Sequence, residues 1–278
     1  MQATTTEQMP FYLPGSPRFV QALRLFLQHT NEYEVLRPWY DQFLTTIHRK
    51  QRYLDIGTGN GSSLTNQADR QFNFGIGVEQ NEELLPIIRE HCPNIQTIGG
   101  QWEDVSDEQL FELLGQQDPT FEGGDLDGGV FDLVQLVHLL YYLPVWEHFT
   151  LLKRVASLVR PGGVILACLQ DESSEYYQLY HNFTPYKYNL RYLAEWFECE
   201  FSRRGWGATS HVLPGEVITD NFDVARQIAE FMLCYVRFDP LPKQAEIDEW
   251  VQEHLWKPER GLYVAQNPQR VMVCWRHN

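Results

Sequence analysis

The sequence predicts an α/β fold in which a mostly parallel sheet carries helices on both faces. Two observations predict it. Between residues 52 and 170, strand-like and helix-like segments alternate, and such alternation specifies parallel strands joined by crossover helices. The first strand runs straight into Gly57-Thr-Gly-Asn-Gly61, three glycines at alternate positions that lead into small, helix-starting residues. Length sets the bound: 278 residues suffice for one large α/β domain with a smaller addition.

The elements follow in order. Ser16-Pro17 reads as an N-cap with proline at the first helical position, and FVQALRLFLQHT repeats apolar residues at helical spacing. A second helix is expected from about Asn31, with Glu34 completing a capping box, to about His48. Residues 1–50 are therefore expected to form a helical cover over the ligand. In the core, residues 51–170, RYLDIG is a strand and SLTNQAD a short helix. FNFGIGVE is a strand and EELLPIIREH a helix; NIQTIG is a strand, after which Ser106 and Gln109 cap the helix DEQLFELLGQ. VFDLVQLV is the next strand, Pro144 opens a helix to about Val159, and PGG turns the chain into VILACLQ. Residues 115–129 are rich in glycine and acid, but Asp125 and Asp127 fail the calcium-loop spacing, so a surface loop is expected. Beyond residue 171 the alternation loosens. Helices are expected at 173–182, 189–198, 222–236 and 243–255, and QRVMVCW, 269–275, reads as a final strand. Residues 171–278 thus supply substrate-binding elements and complete the sheet, forming one compact unit with the rest.

Composition excludes some functions. A formal charge of −15 argues against nucleic acid, whose phosphates need clustered Lys and Arg. That charge suits a cationic small molecule, and equally serves solubility alone. Cys92, Cys168, Cys199, Cys234 and Cys274 form no CxxC pair, which argues against a zinc site or a disulfide framework. Cys168 and Cys274 lie in apolar runs and are expected as buried thiols. MQATTTEQMP lacks the basic-then-apolar pattern of a signal peptide, and no apolar stretch reaches spanning length. The expectation is a cytoplasmic monomer with no membrane partner.

What the glycine loop holds is decided by its spacing. A triphosphate loop needs GxxxxGK[ST], and both the lysine and the spacing are missing. The dinucleotide fingerprint is GxGxxG, which turns a helix N-terminus onto pyrophosphate; here the spacing is GxGxG, preceded by Asp55. A carboxylate beside the loop repels pyrophosphate and favours a cation.

These residues resemble motif I of class I S-adenosylmethionine-dependent methyltransferases. The next strand ends at Glu79, 18 residues past Gly61, where an acid accepts hydrogen bonds from ribose hydroxyls. Arg160-Pro-Gly-Gly163 is similar to the turn before that family's fifth strand. The resemblance implies a Rossmann-like sheet of seven strands, S-adenosyl-L-methionine as cofactor and S-adenosyl-L-homocysteine as product. It implies a cofactor site at Asp55, Gly57, Thr58, Gly59, Gly61, Glu79, Gln80, Gln101, Trp102 and Val137, with no metal.

FDLVQLVHLLYYLP, 131–144, follows the fourth strand and resembles a segment of the histamine N-methyltransferases. FVQALRLFLQHTNEYE (19–34), SSEYYQLY (173–180) and Gly261-LYVAQN resemble other segments of that family in the same order. The resemblance implies an acceptor site at Glu32, His138, Tyr141, Tyr142, Tyr176, Tyr180 and Asn267, with His138, Glu32 and Tyr142 catalytic. Glu32 would hold a cationic end of the acceptor, the tyrosines would supply aromatic faces, and Asn267 would orient the reacting nitrogen. His138 stands where the family has Gln, and His can also take a proton. Leu84 stands where the family has a polar cofactor contact. The expected activity is N-methylation of a small amine or imidazole-type metabolite. Open beside it stand a natural-product N- or O-methyltransferase, an NAD(P)-dependent oxidoreductase and a non-catalytic cofactor binder.

Overall fold

The computed structural model describes residues 8–13, 16–61, 64–121, 128–143, 145–185, 189–234 and 238–277. Its strands are β1 (Arg52–Ile56), β2 (Phe74–Glu79), β3 (Ile95–Gly99), β4 (Phe131–Val137), β5 (Val159–Gln170), β6 (Gly207–Leu213), β7 (Glu216–Thr219), β8 (Trp256–Lys257), β9 (Leu262–Gln266) and β10 (Gln269–Trp275). Its helices are α1 (Pro17–His29), α2 (Glu32–Thr46), α3 (Leu64–Gln71), α4 (Leu85–His91), α5 (Asp107–Gln117), α6 (Val145–Leu158), α7 (Glu175–Phe183), α8 (Leu190–Arg203), α9 (Phe222–Leu233) and α10 (Gln244–Trp250). The chain divides into two compact units. The sheet unit comprises Leu36–Leu169, Tyr192–His211 and Arg270–Asn278; the second comprises Met1–Val35, Gln170–Arg191 and Val212–Gln269.

The sheet unit is the expected seven-stranded, mostly parallel sheet, in the order β3-β2-β1-β4-β5-β10-β6. The pairs β1–β2, β1–β4, β2–β3 and β4–β5 are parallel. β4 is buried at every position and β1 and β2 at all but their first, as befits strands covered on both faces. Leu54, Ile56, Ile76, Val134, Leu136 and Ile165 form its centre. The strand order runs outward in opposite directions from the β1–β4 pair. Ligands of open α/β sheets bind at such a switch point, beyond the carboxyl ends of the strands. Those ends carry the glycine loop and the segment from His138.

The second unit packs α1 against α9, with Phe231 meeting the rings of Tyr12, Phe19 and Phe26. Ser16 caps α1 as expected, its Oγ accepting from Phe19 N at 3.2 Å. An antiparallel sheet in the order β7-β9-β8, unforeseen in sequence, completes it.

The structure corrects several boundaries. Asn31 forms no capping box with Glu34, because its Oδ1 accepts from Glu216 N at 2.7 Å and its own N–H donates to Glu216 O. α4 begins at Leu85 rather than at Glu82, with Pro86 in its first turn, where the missing N–H costs nothing. Arg160–Gly163 lies inside β5 as an irregularity, the register passing from Phe131↔Val159 to Leu133↔Val164. α10 stops at Trp250 and yields to a π-turn, Val251–Leu255. Asp125, Asp127 and Pro144 lie outside the described residues. None of the five cysteines is in a disulfide, and Cys168 and Cys274 are buried.

Candidate functional site

β1 delivers the chain into a loop whose Gly57, Gly59 and Gly61 have φ of 76°, 61° and 68°, a region in which side chains are strained. Backbone bonds from Gly57 N (2.9 Å) and Thr58 N (3.2 Å) to Val78 O tie the loop to the end of β2. Thr58 is buried, its hydroxyl within 3.2 Å of Asp55 O and 3.3 Å of Val78 O. A Cβ on Gly57 would lie 3.0 Å from Leu139 Cδ1, whereas one on Gly59 would meet nothing within 4 Å. Space therefore opens at the middle glycine.

Two buried carboxylates stand at the ends of β1 and β2, and one of them, Glu79, bonds Gly59 N. Asp55, 1 % exposed, accepts a hydrogen bond from Thr65 Oγ1 through Oδ2, while its Oδ1 has no partner. Burial pushes its carboxyl up to about 6; donation from Thr65 and the nearby Gln135 amide offsets part of the rise, and the Glu79 charge adds to it. Gln135 lies opposite Asp55 in the β1–β4 register and its Oε1 accepts from Tyr40 OH at 2.7 Å, which turns its Nε2 toward Asp55 without closing a full bond. Burial holds the Tyr40 hydroxyl protonated, far above its ordinary range. Glu79 accepts from Gly59 N and Asn81 N, each at 2.8 Å, one on each oxygen. Burial raises its carboxyl, and these backbone donors pull it partly back.

Gly100 N donates to Glu79 O at 3.1 Å and brings the loop after β3 to the same strand end. There Gln101 is exposed and opens a 3-10 turn in which Trp102 is buried. Arg154 lies 4.1 Å over the Trp102 ring, donates to the carbonyls of Trp102 and Val105, and pairs with Asp107 at 2.7 Å. Gln80 is exposed; Val137 is buried at the end of β4.

Past Val137 the chain turns sharply at His138, φ 55°, whose N–H donates to Cys168 O at 2.8 Å. His138 Nδ1 is 3.1 Å from Tyr141 OH, and the two rings stack at 16° with centroids 5.9 Å apart. Tyr141 and Tyr142 share the 3-10 turn Leu140–Tyr142, their rings edge-on. The expected acceptor residues His138, Tyr141 and Tyr142 thus share one short turn beside the glycine loop.

Glu32, Tyr176, Tyr180 and Asn267 belong to the second unit and are all buried there. Glu32 opens α2, its N–H donating to Thr30 Oγ1 at 3.2 Å. Tyr176 and Tyr180 lie one turn apart on α7, and burial raises the Tyr176 hydroxyl. Asn267 Oδ1 accepts from Gln170 Nε2 at 2.7 Å and Ser174 Oγ at 3.1 Å, and its N–H donates to Gly215 O. Sequence reasoning missed Tyr40, Thr65, Asn81, Gln135, His148 and Arg154. Only Gln135 carried a signal, as one of two polar residues, with Asp132, in the mostly apolar β4 run.

A family profile described as a methyltransferase domain matches residues 27–211. The fold is similar to that of the YcgJ protein of Bacillus subtilis, at 14 % identity over 86 % of this chain and 98 % of that one, TM-score 0.53. It is also similar to the BH2331 protein of Bacillus halodurans C-125, at 12 % identity over 86 % and 99 %, TM-score 0.53. A SAM-dependent methyltransferase from Thiobacillus denitrificans, solved with S-adenosyl-L-homocysteine, matches at 16 % identity over 99 % and 96 %, TM-score 0.43. No curated protein matches the sequence.

Proposed function

The chain belongs to the methyltransferase-domain family, and from that premise we propose that it moves a methyl group from S-adenosylmethionine to a nitrogen of a small amine or imidazole-type acceptor. One observation carries the cofactor reading. Glu79 is buried against Gly59 N, Asp55 is buried in β1 just before the loop, and among the described residues no cationic side chain acts on either. A phosphate there would meet two uncompensated carboxylates; a sulfonium and an ammonium are drawn to them.

The cradle fits that cofactor. Each Glu79 oxygen uses one acceptor position on a backbone N–H and keeps capacity for ribose hydroxyls. Asp55 Oδ1 is sealed from solvent and acts on a cation through its field. Gly57, Thr58 and Gly61 shape the loop, and Gln80, Gln101, Trp102 and Val137 are assigned to its flanks. S-adenosylmethionine bound there supplies a methyl group already activated by a positively charged sulfur.

What remains for the protein is positioning and exclusion of water, which together can supply up to ~7–11 kcal/mol. An aliphatic ammonium, titrating near ~10, must lose its proton before it attacks. His138 is assigned that proton. When Nδ1 carries hydrogen it donates to Tyr141 OH, and the ring's lone pair then resides on Nε2. The resemblance to histamine N-methyltransferases supports Glu32 as holder of a cationic acceptor group, Tyr142, Tyr176 and Tyr180 as aromatic contacts, and Asn267 as an orienting amide.

Calorimetry with S-adenosylmethionine, S-adenosylhomocysteine and NAD tests the cofactor; binding of the first two and silence of the third is expected. Labelled S-adenosylmethionine, offered with biogenic amines, histidine derivatives, and indolic and phenolic metabolites, tests the acceptor. Transfer to oxygen alone would overturn the nitrogen assignment. His138→Ala is expected to cut turnover at pH 7 at least tenfold (~1.4 kcal/mol) and far less at pH 9.5; equal losses at both would remove the proton-accepting role.

A further inference from the structure

His148 lies in the first turns of α6, 2 % exposed, and is used by none of the chemistry above. Its Nε2 is 2.9 Å from Leu140 O and 3.0 Å from Leu143 O. Two carbonyls cannot donate, so Nε2 carries the hydrogen and shares it between them. These carbonyls bracket the turn that holds Tyr141 and Tyr142. The same turn is anchored upstream by His138 N donating to Cys168 O on β5. Leu139, next in the chain, occupies the place that a Gly57 side chain would need. The turn is therefore stapled to β5 through His138 N, to the glycine loop through Leu139 and to α6 through the His148 imidazole.

We propose that His148 is a positioning residue of the acceptor side, its imidazole fixing the Leu140–Leu143 turn and so the stand-off of Tyr141, Tyr142 and His138 from the glycine loop. The inference rests on the reading of this turn as the acceptor side. Within the turn Leu140 O also accepts from Leu143 N at 3.4 Å, so the imidazole adds a donor from α6 to a carbonyl the turn itself already uses. The ring stays neutral under ordinary conditions, since burial lowers its pKa and outweighs the two carbonyls. The clamp does not depend on a charge, so an uncharged donor of similar reach replaces it.

Two variants test this. His148→Leu removes the donor and keeps much of the volume; His148→Gln keeps an N–H at similar reach. Fluorotyrosine at positions 141 and 142 reports the turn by 19F NMR. In His148→Leu the two lines are expected to shift or split, kcat to fall at least tenfold, and the S-adenosylmethionine Kd to stay within twofold. His148→Gln is expected to restore lines and kcat together, with the acid limb of the pH profile unchanged from the parent. Unmoved lines and kcat in His148→Leu would overturn the proposal, as would a glutamine variant no better than leucine. So would a parallel loss of kcat and cofactor affinity, which marks general destabilisation. Failure of the methyltransferase reading looks different: the parent protein transfers no label to any acceptor while the lines of His148→Leu still respond.

Discussion

At the scale of single residues, Asp55 sets the most consequential balance. Its carboxyl, ordinarily near 3.8, is pushed up to about 6 because burial outweighs the Thr65 and Gln135 donors. Between those values the folded chain binds more protons at this position than the unfolded chain does. Stability therefore falls as pH rises through that window and stays reduced above it. The gap corresponds to about 3 kcal/mol. Asp55→Asn removes the ionisation, and Gln135 can turn its amide to receive the new N–H₂. The variant is expected to melt several degrees above the parent at pH 8 and close to it at pH 4; a lower Tm at pH 8 would show that the ionised form stabilises the fold. The same balance acts on binding. A sulfonium favours the ionised carboxylate and expels its proton, so S-adenosylmethionine is expected to bind more tightly as pH rises through 6. S-adenosylhomocysteine, which lacks the sulfonium charge, is expected to change less, and calorimetry across pH 5–8 compares them.

At the scale of elements, Arg154 shows how a turn is held for use. One guanidinium covers the Trp102 ring and bonds two carbonyls of the loop after β3, so the turn proposed to flank the cofactor depends on a residue of α6. Lysine cannot reproduce a planar fork with several donors. Arg154→Lys is expected to lower stability by about 1–2 kcal/mol and to red-shift Trp102 emission, with cofactor affinity reduced severalfold; unchanged emission would show the turn holds itself. Nothing in the sequence pairs Arg154 with Trp102, because their contact is made across the fold. What was legible was local. β1 and its glycines, the alternation through β5, the Ser106 capping box and the last strand follow from near neighbours, and the capping box forms as expected. Gln135 was visible as a polar residue in an apolar run, but Tyr40 and Thr65, its partners in the Asp55 chain, lie on other elements. The Asn31–Glu34 box failed for the same reason: β7 offered the Asn31 amide a better partner. The short strands β7, β8 and β9 escaped because two to five residues are too few to show a period.

At the scale of the whole molecule, two kinds of negative charge are proposed to act on a cationic cofactor, and salt separates them. The chain carries a formal charge of −15, most of it on exposed side chains, and this field raises the rate at which a cation arrives. Asp55 and Glu79 are buried at the loop, and their hold on a bound cation is screened far less. The Debye length is about 10 Å at ~0.1 M salt and about 3 Å at ~1 M, so moderate salt removes the long-range field first. Raising NaCl from ~0.02 to ~0.5 M is therefore expected to slow S-adenosylmethionine association severalfold while leaving dissociation within twofold. S-adenosylhomocysteine association is expected to stay nearly flat. Stopped-flow fluorescence measures both rates. A dissociation rate that climbs with salt as steeply as association falls would place the attraction on exposed charges, and the two buried carboxylates would then lose their part in choosing the cofactor.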